Sequence, residues 1–268
     1  MSAWTDDRVW DAVEAWRWAP PSSKRVLTGD YELIVTPGSY ALTYAYGLSV
    51  EDPSRVGSVL GELKSTVVSL GGTGVRVRVT PRSKPSDLAE ALTNQGYRLT
   101  ESTEVLAWEL REPGGAPRSP SFRQPEGIVV REISSDVDYE SYHELTASVF
   151  GDPRPTDETL KAFGEEFHRR VHDRGHSDRF LARKDEVPVG LAGMEIVEGV
   201  ARMFGAGVLP EHRGSGVYGL LVRCRCEEAA RRGATLALVT ARVGTSGPIL
   251  KHHGFRPVGI LRQFEARW

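Results

Sequence analysis

One short run of glycines with an arginine is the segment of this sequence best suited to bind phosphate groups. It reads Pro-Glu-His-Arg-Gly-Ser-Gly-Val-Tyr-Gly at residues 210–219. Glycine lets a backbone approach a ligand closely, and Arg213 adds a fixed, forked cation. If a helix begins within the run, its free N–H groups and the positive end of its dipole face the same place. The run therefore predicts a cradle for a diphosphate.

Apolar residues on both sides predict the elements that hold this run in place. Ala201 to Leu209 is predicted to be a strand, and Val217 to Arg232 a helix. Gly205 and Gly207 lie inside the strand, where glycine is typical of a β-bulge or of a ligand close to the backbone. The glycine run would therefore connect the end of a strand to the start of a helix.

The sequence Gly-Ser-Gly-Val-Tyr-Gly at residues 214–219 also matches the GxGxxG pattern of dinucleotide-binding folds. Such a fold needs its first glycine at the end of the strand, whereas Pro210 to Arg213 intervene here. It also needs an acidic residue after the next strand to bind the ribose hydroxyl. The residues at that position are Thr240, Ala241 and Arg242, none of which is acidic. These departures disfavour a dinucleotide site.

The rest of the chain reads as strands and helices interrupted by one linker. Residues 111–127 are rich in Pro, Gly and Ser, which is typical of a connection between domains. We therefore expect a first domain at residues 1–112, a linker at 113–127 and a second domain at 128–268. The second domain is predicted to contain, besides the glycine run, a strand at Ile128–Glu132, helices at Val137–Phe150 and Leu160–Val171, a hairpin of Phe180–Arg183 with Val187–Ile196, a strand at Leu236–Thr240, a short helix at Ser246–His253 and a final strand at Phe255–Trp268.

Residues 92–110 and 250–268 resemble each other. The matched pairs are Leu92 with Leu250, Gly96 with Gly254, Tyr97 with Phe255 and Arg98 with Arg256. One interpretation is that any joint of helix, glycine and strand looks like this; the other is that the two halves are copies of one fold. If they are copies, the first is degenerate, because an acidic, glycine-poor turn at residues 51–57 stands where the second half has the glycine run.

The order of elements from residue 128 to 268 resembles the GNAT superfamily of acetyl-CoA-dependent N-acetyltransferases. The specific part is the segment Val-x-Pro-x-x-Arg-Gly-x-Gly-Val-Tyr, which begins at Val208 and is followed by a helix, a strand, a short helix and a Gly-Phe pair. It is similar to the superfamily signature Arg/Gln-x-x-Gly-x-Gly/Ala through Arg213 and Gly216, although Tyr218 takes the final small-residue place. With the repeat, the whole chain resembles a tandem GNAT protein whose N-terminal copy has lost its cofactor loop.

This resemblance implies a fold and a donor substrate. The fold is of the α/β (α+β) class, with two tandem GNAT-like domains, each a mixed, mostly antiparallel sheet flanked by helices. The donor is acetyl-CoA, bound as a co-substrate, and no metal is implied. The backbone N–H of Val208, close to the expected bulge, is the implied oxyanion donor to the thioester carbonyl. The residues implied to contact CoA are Val208, Leu209, Arg213, Gly214, Ser215, Gly216, Val217, Tyr218, Gly219 and Ser246.

Several candidate residues also have plain structural interpretations. Leu250 stands where family members often have the tyrosine that protonates the departing thiolate, so the usual acid is absent. Glu195 is a possible base that acts through water, or a strand residue that faces solvent. Tyr218 either contacts CoA or packs under its helix, and Ser246 either touches CoA or caps a helix.

The histidines and cysteines of the second half are weaker candidates for functional residues. His252 and His253 are adjacent on a predicted helix and point about 100° apart, so at most one of them faces the groove. Cys224 and Cys226 lie two apart on a predicted helix, where side chains diverge. They are therefore expected to pack without bridging each other, and a CxC pair alone is too little for a metal site.

Composition and charge limit the kinds of partner. A formal net charge of −2 over 268 residues does not suggest a nucleic-acid surface. We find no apolar run near the roughly 18 residues of a membrane span and no secretory signal, so we expect a reduced, cytoplasmic protein that binds neither nucleic acid nor membranes. Only six of the 34 basic residues are lysine, which is typical of a GC-rich bacterial genome.

Together these observations predict an N-acetyltransferase, which is an acyltransferase, that moves an acetyl group from acetyl-CoA to an amine of a small molecule or peptide. We expect it to act as a monomer or homodimer. The alternative is a CoA-binding sensor or interaction protein without turnover, which the missing tyrosine at Leu250 motivates. By the same resemblance, loops at Phe150–Asp157 and around Gly259–Arg262 contact the acceptor.

Overall fold

The chain divides into two compact units, each assembled from separate chain segments. The computed structural model describes residues 4–17, 19, 23–36, 42–112, 115–151 and 156–268. The first unit, which we call the cradle unit, contains Ala107–Val239, Ile249–Arg256 and Trp4. The second, which we call the N-terminal unit, contains Thr5–Leu106, Thr240–Pro248 and Pro257–Trp268. The boundaries at 1–112, 113–127 and 128–268 describe sequence copies and stay a prediction.

Strands and helices alternate along the chain. The first half contains α1 (Asp6–Ala15), β1 (Lys24–Leu27), β2 (Glu32–Thr36), β3 (Leu42–Tyr46), α2 (Val56–Ser69), β4 (Gly74–Val79), α3 (Leu88–Asn94) and β5 (Arg98–Glu109). The second half contains β6 (Ile128–Glu132), α4 (Asp136–Phe150), α5 (Asp157–Arg174), β7 (Arg179–Lys184), β8 (Val187–Val197), β9 (Val200–Val208), α6 (Val217–Arg231), β10 (Leu236–Arg242), α7 (Ser246–His252) and β11 (Arg256–Arg267).

The sheet of the N-terminal unit has the strand order β1-β2-β3-β4-β11-β5. Its first three strands are antiparallel neighbours, whereas β3 and β4 are parallel and are joined through α2. The last strand of the chain, β11, runs antiparallel to β4, with Phe264 opposite Val77. The C-terminal segment therefore completes the sheet of the N-terminal unit.

The cradle unit contains strands in the order β10-β9-β8-β7-β6. Strands β6 to β9 are antiparallel, and β9 and β10 are parallel with α6 in the connection between them. The β7–β8 hairpin turns through Asp185 and Glu186, which both have positive φ, as a two-residue type I′ turn requires. Mixed, mostly antiparallel strands flanked by helices confirm the predicted α/β class.

Local sequence explains where several elements begin and which face they bury. Thr5 caps α1 by accepting a hydrogen bond from the N–H of Arg8. The buried residues of α2 recur at helical spacing, and those of β4 alternate along the strand. In α2 the buried side chains are Val56, Val59, Leu60, Leu63 and Val67. None of the helices in the described ranges is both long and apolar enough to cross a membrane.

The two segments matched in the sequence have the same local geometry. Gly96 and Gly254 follow α3 and α7 with φ of +84° and +89°. In each case the N–H of the next residue donates to a helix carbonyl, from Tyr97 to Leu92 and from Phe255 to Leu250, both at 3.0 Å. This agreement supports the interpretation that the halves are copies of one fold.

Candidate active site

A bulge interrupts β9 next to Gly205, as the glycines inside this strand predicted. Phe204 lies opposite Gly193 and Gly207 opposite Leu191, so two residues of β9 face one residue of β8. Gly205 has φ of +54°, in the left-handed region that glycine adopts without strain. A bulge bends its strand and increases the local twist, and this one lies just before the end of β9.

Val208, the last residue of β9, turns its backbone polar groups away from β8. It lies opposite Gly190, and the N–H of the following Leu209 donates to the carbonyl oxygen of Val189 at 3.0 Å. In an antiparallel pair this pattern marks a non-hydrogen-bonded position, where the N–H and C=O of the residue point to the other edge of its strand. Val208 therefore presents its N–H on the side of β9 opposite to β8.

On that side, β9 pairs with β10 along its first half. The pairs run from Val200 opposite Leu236 to Met203 opposite Val239, and the ladder between these strands ends there within the described residues. Leu209 has no backbone group left for this edge, because its N–H binds Val189 and its carbonyl oxygen accepts from the N–H of His212 at 2.9 Å. The backbone of Val208 thus lies at an open strand edge.

The glycine run between β9 and α6 forms an open loop that ends at the first turn of α6. Gly214 and Gly216 have φ of +75° and +90°, and Gly216 is the N-cap of α6. Within the described residues, no side chain caps this helix, and capping is the usual partner of the N–H groups in a first turn. A Cβ built on Gly214 would meet no atom within 4 Å. The loop therefore has room for a ligand beside uncapped amides.

Arg213 links this loop back to the strand. Its Nε lies 3.2 Å from the carbonyl oxygen of Val208 and donates a hydrogen bond to it. The side chain of Ser215 also closes the loop locally, because its Oγ donates to the carbonyl oxygen of His212 at 2.6 Å. Arg213, Gly214, Ser215 and Gly216 are exposed, whereas Val217 and Gly219 are buried. The structure thus brings the predicted residues 208–219 together in one place.

Gly219 has a packing role that the sequence did not reveal. A Cβ on this residue would lie 2.3 Å from Cδ1 of Phe122. The Phe122 ring is buried and packs on the ring of His253 at a centroid distance of 3.9 Å. Arg223 of α6 donates to the carbonyl oxygen of Phe122 at 3.1 Å. A segment predicted as a linker therefore anchors the first turn of α6. Phe122 is the one aromatic residue in the sequence 111–127, and it could have indicated that this segment packs against the domain.

The remaining candidate residues come from other segments of the chain. Ser246 belongs to the N-terminal unit, where its Oγ accepts from the N–H of Arg242 at 3.1 Å. Leu250 is fully buried, so the place of the usual tyrosine is filled by packing. His252 is exposed. Cys224 and Cys226 are free thiols, as expected, and burial raises the pKa of both.

Glu195 lies on β8 opposite Arg202, which precedes Val208 by six residues along β9. At a rise of about 3.3 Å per residue, this separates Glu195 from Val208 by roughly 15–20 Å. Its Oε1 lies 3.9 Å from Nη2 of Arg170. The distance along the strand favours the structural interpretation of Glu195 over a role as base.

Helix α4 covers β9 with a tyrosine and a histidine that the sequence did not single out. The Tyr142 hydroxyl oxygen lies 3.9 Å from the Cβ position of Gly205, and burial raises the pKa of this phenol. The next residue, His143, stacks on Phe163 with an interplanar angle of 8°. Burial, with a contribution from Arg179, lowers the pKa of His143 to about 4. Tyr142 therefore stays protonated and His143 neutral at physiological pH.

Glu132, His176 and Asp178 lie close enough together to resemble a metal site. Arg232 binds both carboxylates, with Nη1 2.9 Å from Asp178, and Arg170 lies 3.4 Å from Asp178. These two guanidinium groups already neutralise the carboxylates, so we interpret the group as an ion-pair network. It ties the end of α6 to β6 and β7.

Of the two segments expected to contact the acceptor, the structure describes Gly259–Arg262 in full and Phe150–Asp157 only in part. Within Phe150–Asp157, residues 152–155 lie outside the described residues. Gly259 lies on β11 in the N-terminal unit, where a Cβ would approach Cζ2 of Trp10 to 2.8 Å. Close packing on Trp10 therefore accounts for this glycine.

A family model and several solved structures are similar to this chain. Residues 140–247 match the family described as "Acetyltransferase (GNAT) family". The matched segment contains β7 to β10, the bulge, the glycine run and α6. A comparison with curated protein sequences found no match.

Solved structures share the fold over nearly the whole chain. A GCN5-related N-acetyltransferase from Sphaerobacter thermophilus has a TM-score of 0.67 at 19% identity, covering 97% of this chain and 85% of its own. One from Kribbella flavida has a TM-score of 0.65 at 20% identity, covering 91% and 89%. A tandem GNAT protein from the clavulanic acid biosynthesis pathway has a TM-score of 0.61 at 18% identity, covering 97% and 87%. The chain therefore has a GNAT fold in tandem form.

Proposed function

We propose that the cradle unit, which contains most of the segment 140–247 that matches the GNAT family, moves an acetyl group from acetyl-CoA to an amine. The acceptor is a small molecule or a peptide. The observation that carries this proposal is the position of Val208, whose backbone N–H lies at an open strand edge directly before an uncapped helix start. These two features are what a thioester on a diphosphate-bearing carrier requires.

The residues of the cradle fit the diphosphate of CoA. The amides of Gly216, Val217, Tyr218 and Gly219 lie at the start of α6, where the helix dipole favours an anion. Gly214 leaves the loop open, and the exposed Arg213 is anchored through Nε, which leaves its two terminal nitrogens for phosphate oxygens. We propose contacts from Arg213, Ser215 and these amides to the diphosphate.

Val208 would bind the part of the donor that reacts. The open edge of β9 can accept the pantetheine arm as an added strand. In the transfer, the amine nitrogen bonds to the thioester carbon, the C–S bond breaks, the amine loses a proton and the sulfur leaves as a thiol. The N–H of Val208 is the proposed donor to the carbonyl oxygen while negative charge develops on it. Leu209, whose backbone groups are engaged within the chain, supports this edge indirectly.

Tyr142 is the proposed hydrogen-bond donor on the acceptor side. Its hydroxyl lies next to Gly205, three residues before Val208, on the face of β9 that α4 covers. Because burial raises its pKa, this phenol donates a hydrogen bond without acting as a base. On α7, Leu250 stands where the resemblance implies a tyrosine, and its side chain is fully buried.

A second function has one observation in its favour. The buried Leu250 leaves the expected acid position without a titratable group, which is compatible with a CoA-binding sensor that does not turn over. Thiolate is a fair leaving group, however, so a missing acid slows transfer without preventing it. We therefore place acetyl transfer first.

Thiol release separates the two functions. The full chain is incubated with acetyl-CoA and a library of amines and short peptides, and free CoA is measured with a thiol reagent after removal of the protein. Transfer predicts amine-dependent release, with an acetylated product of the expected added mass. Tight CoA binding without release for any amine would favour the sensor, and absence of CoA binding would contradict both.

A further inference from the structure

The N-terminal unit contains a cavity of about 220 Å³ at the place where β3 and β4 separate. These parallel strands pair at Tyr44–Arg76 and Ala45–Val77, and they meet again through an isolated bridge between Ser49 and Lys84. The cavity lies beside the residues in the gap between these two points. Crevices at the carboxyl ends of parallel strands are common ligand sites in α/β folds.

Two arginines flank one aromatic ring in this cavity. The guanidinium carbons of Arg17 and Arg78 lie 5.0 and 5.4 Å from the centroid of the Tyr46 ring. Arg17 pairs with Glu32, whose Oε2 lies 2.8 Å from its Nε, and Glu32 also pairs with Arg25. Within the described ranges, Arg78 forms no ion pair. The Arg78 side chain is half-buried, burial lowers its pKa, and Tyr46 is its hydrogen-bond partner.

Each of the other charged side chains that line the cavity has a partner of opposite charge. Glu14 accepts a hydrogen bond from Thr80 at 2.8 Å and lies 3.6 Å from Arg82. Arg82 also pairs with Asp7 and Asp11. Among the described charged side chains that line the cavity, Arg78 is thus the one without a carboxylate opposite it. A half-buried cation is stabilised when an anion pairs with it, and a planar oxyanion fits the guanidinium fork.

Apolar side chains form the rest of the wall. Val13 of α1, Leu48 after β3 and Leu261 of β11 line the cavity together with the aromatic ring of Tyr46. A cavity of roughly 150 Å³ holds a benzene ring, so this one suits a slightly larger molecule. We propose that the N-terminal unit binds a small organic oxyanion, a carboxylate or a phosphate monoester on an apolar body, with Arg78 as its counter-charge.

The test uses the full chain without CoA and four probes of known chemistry. Benzoate and phenyl phosphate carry the two oxyanions on a ring, benzyl alcohol carries the ring without charge, and inorganic phosphate carries charge without the ring. We expect saturable binding by calorimetry of at least one charged aromatic probe, with a dissociation constant near or below about 1 mM. Which of the two binds distinguishes the carboxylate from the phosphate source.

Arg78→Gln should weaken that binding by about tenfold or more. Arg76→Gln is the matched control, because Arg76 lies on the same strand and pairs with Glu265 at 2.9 Å; it should change the affinity less than about threefold. In the wild-type chain, the Nε–H signal of Arg78 should shift in NMR titrations and that of Arg76 should not. This second measurement needs no variant to fold.

Three outcomes would overturn the proposal. They are no binding of either charged aromatic probe, equal binding of benzyl alcohol, and an Arg78→Gln affinity equal to that of the wild type. None of these bears on acetyl transfer by the cradle unit, because the probes are measured without CoA and the altered residue lies in the other unit.

Discussion

The Nε of Arg213 donates a hydrogen bond to the carbonyl oxygen of Val208 at 3.2 Å, which ties the glycine loop to the end of β9. This contact orients one guanidinium edge toward the strand and leaves the other edge for a ligand. The residue that we assign to the diphosphate thus also orders the strand end that we assign to the thioester.

Replacement of Arg213 should therefore weaken CoA binding, and alanine should weaken it more than lysine. We expect Arg213→Ala to raise the dissociation constant of CoA by about 10- to 100-fold, the range for hydrogen bonds to charged groups. Arg213→Lys should recover part of this loss, because it keeps the charge but not the fork or the Nε contact. Calorimetry measures both. Arg231→Ala, at the other end of α6 and paired with Glu228, is the control and should leave the affinity unchanged.

Gly219→Ala should destabilise the cradle unit through a clash with Phe122. Its Cβ would lie 2.3 Å from the ring, and overpacking of this kind costs about 1–3 kcal/mol of unfolding free energy. Urea unfolding of Gly219→Ala, Phe122→Leu and the double variant measures their coupling. We expect the double variant to be more stable than the sum of the single changes predicts. Strict additivity would show that the ring and the helix are independent.

Gly214→Ala is the contrast to Gly219→Ala, because it places a methyl group where there is no atom to clash with. No atom lies within 4 Å of its Cβ position, so only the positive φ of +75° opposes the change. A cost of about 1–2 kcal/mol is expected, and Phe122→Leu should not alter it.

His143 should make the chain sensitive to mild acid. Its pKa is lowered to about 4 by burial, with Arg179 contributing, against 6.5 for the free side chain. Between these values the unfolded chain binds a proton that the folded chain does not, so this stabilisation is complete above pH 6.5 and is lost as the pH falls toward 4. The loss is about 3 kcal/mol at its full extent.

The effect is isolated by comparison of His143→Gln with the wild type. The unfolding free energy of each protein is measured between pH 7 and 4, and one curve is subtracted from the other. The subtraction removes the contribution of the carboxylates, which both proteins share. His172→Gln serves as control, because the His172 side chain is 88% exposed. Parallel curves for wild type and His143→Gln would contradict the assignment.

Tyr142 and Glu195 should respond differently to removal of their polar groups. If Tyr142 donates a hydrogen bond on the acceptor side, Tyr142→Phe lowers kcat/KM about tenfold or more while CoA affinity stays constant. Glu195→Gln should change kcat/KM less than about threefold, because the strand separates it from Val208 by roughly 15–20 Å. Steady-state rates over a range of pH measure both. Loss of the acidic limb in Glu195→Gln would restore Glu195 as the base.

The sequence predicted those features that depend on neighbours along the chain. The β7–β8 hairpin and the bulge at Gly205 both follow from residue types within a few positions. The glycine run likewise predicted the open loop at the start of α6, because positive φ and a free helix start are local properties. The matched Gly96 and Gly254 joints belong to the same class.

Features that depend on partners distant in the chain could not be predicted. Alternating residues marked β11 as a strand, but periodicity does not identify β4 as its neighbour. A Pro- and Gly-rich composition suggested a free linker, whereas one residue in it, Phe122, packs on Gly219. Glu195 looked close to the site because its strand precedes β9, and only the register shows how far along the ladder it lies.

The central claim, that residues 213–219 hold the diphosphate of CoA, is tested most directly by a charge placed in the loop. Ser215 is exposed, and Ser215→Asp and Ser215→Asn differ in charge with nearly equal shape. At low ionic strength, Ser215→Asp should weaken acetyl-CoA binding by about tenfold or more and Ser215→Asn by less than about threefold, with the gap closing as salt is added. Neither change should affect use of S-acetylpantetheine, which lacks the diphosphate. Equal affinity of the Asp and Asn variants for acetyl-CoA at low salt would contradict the account.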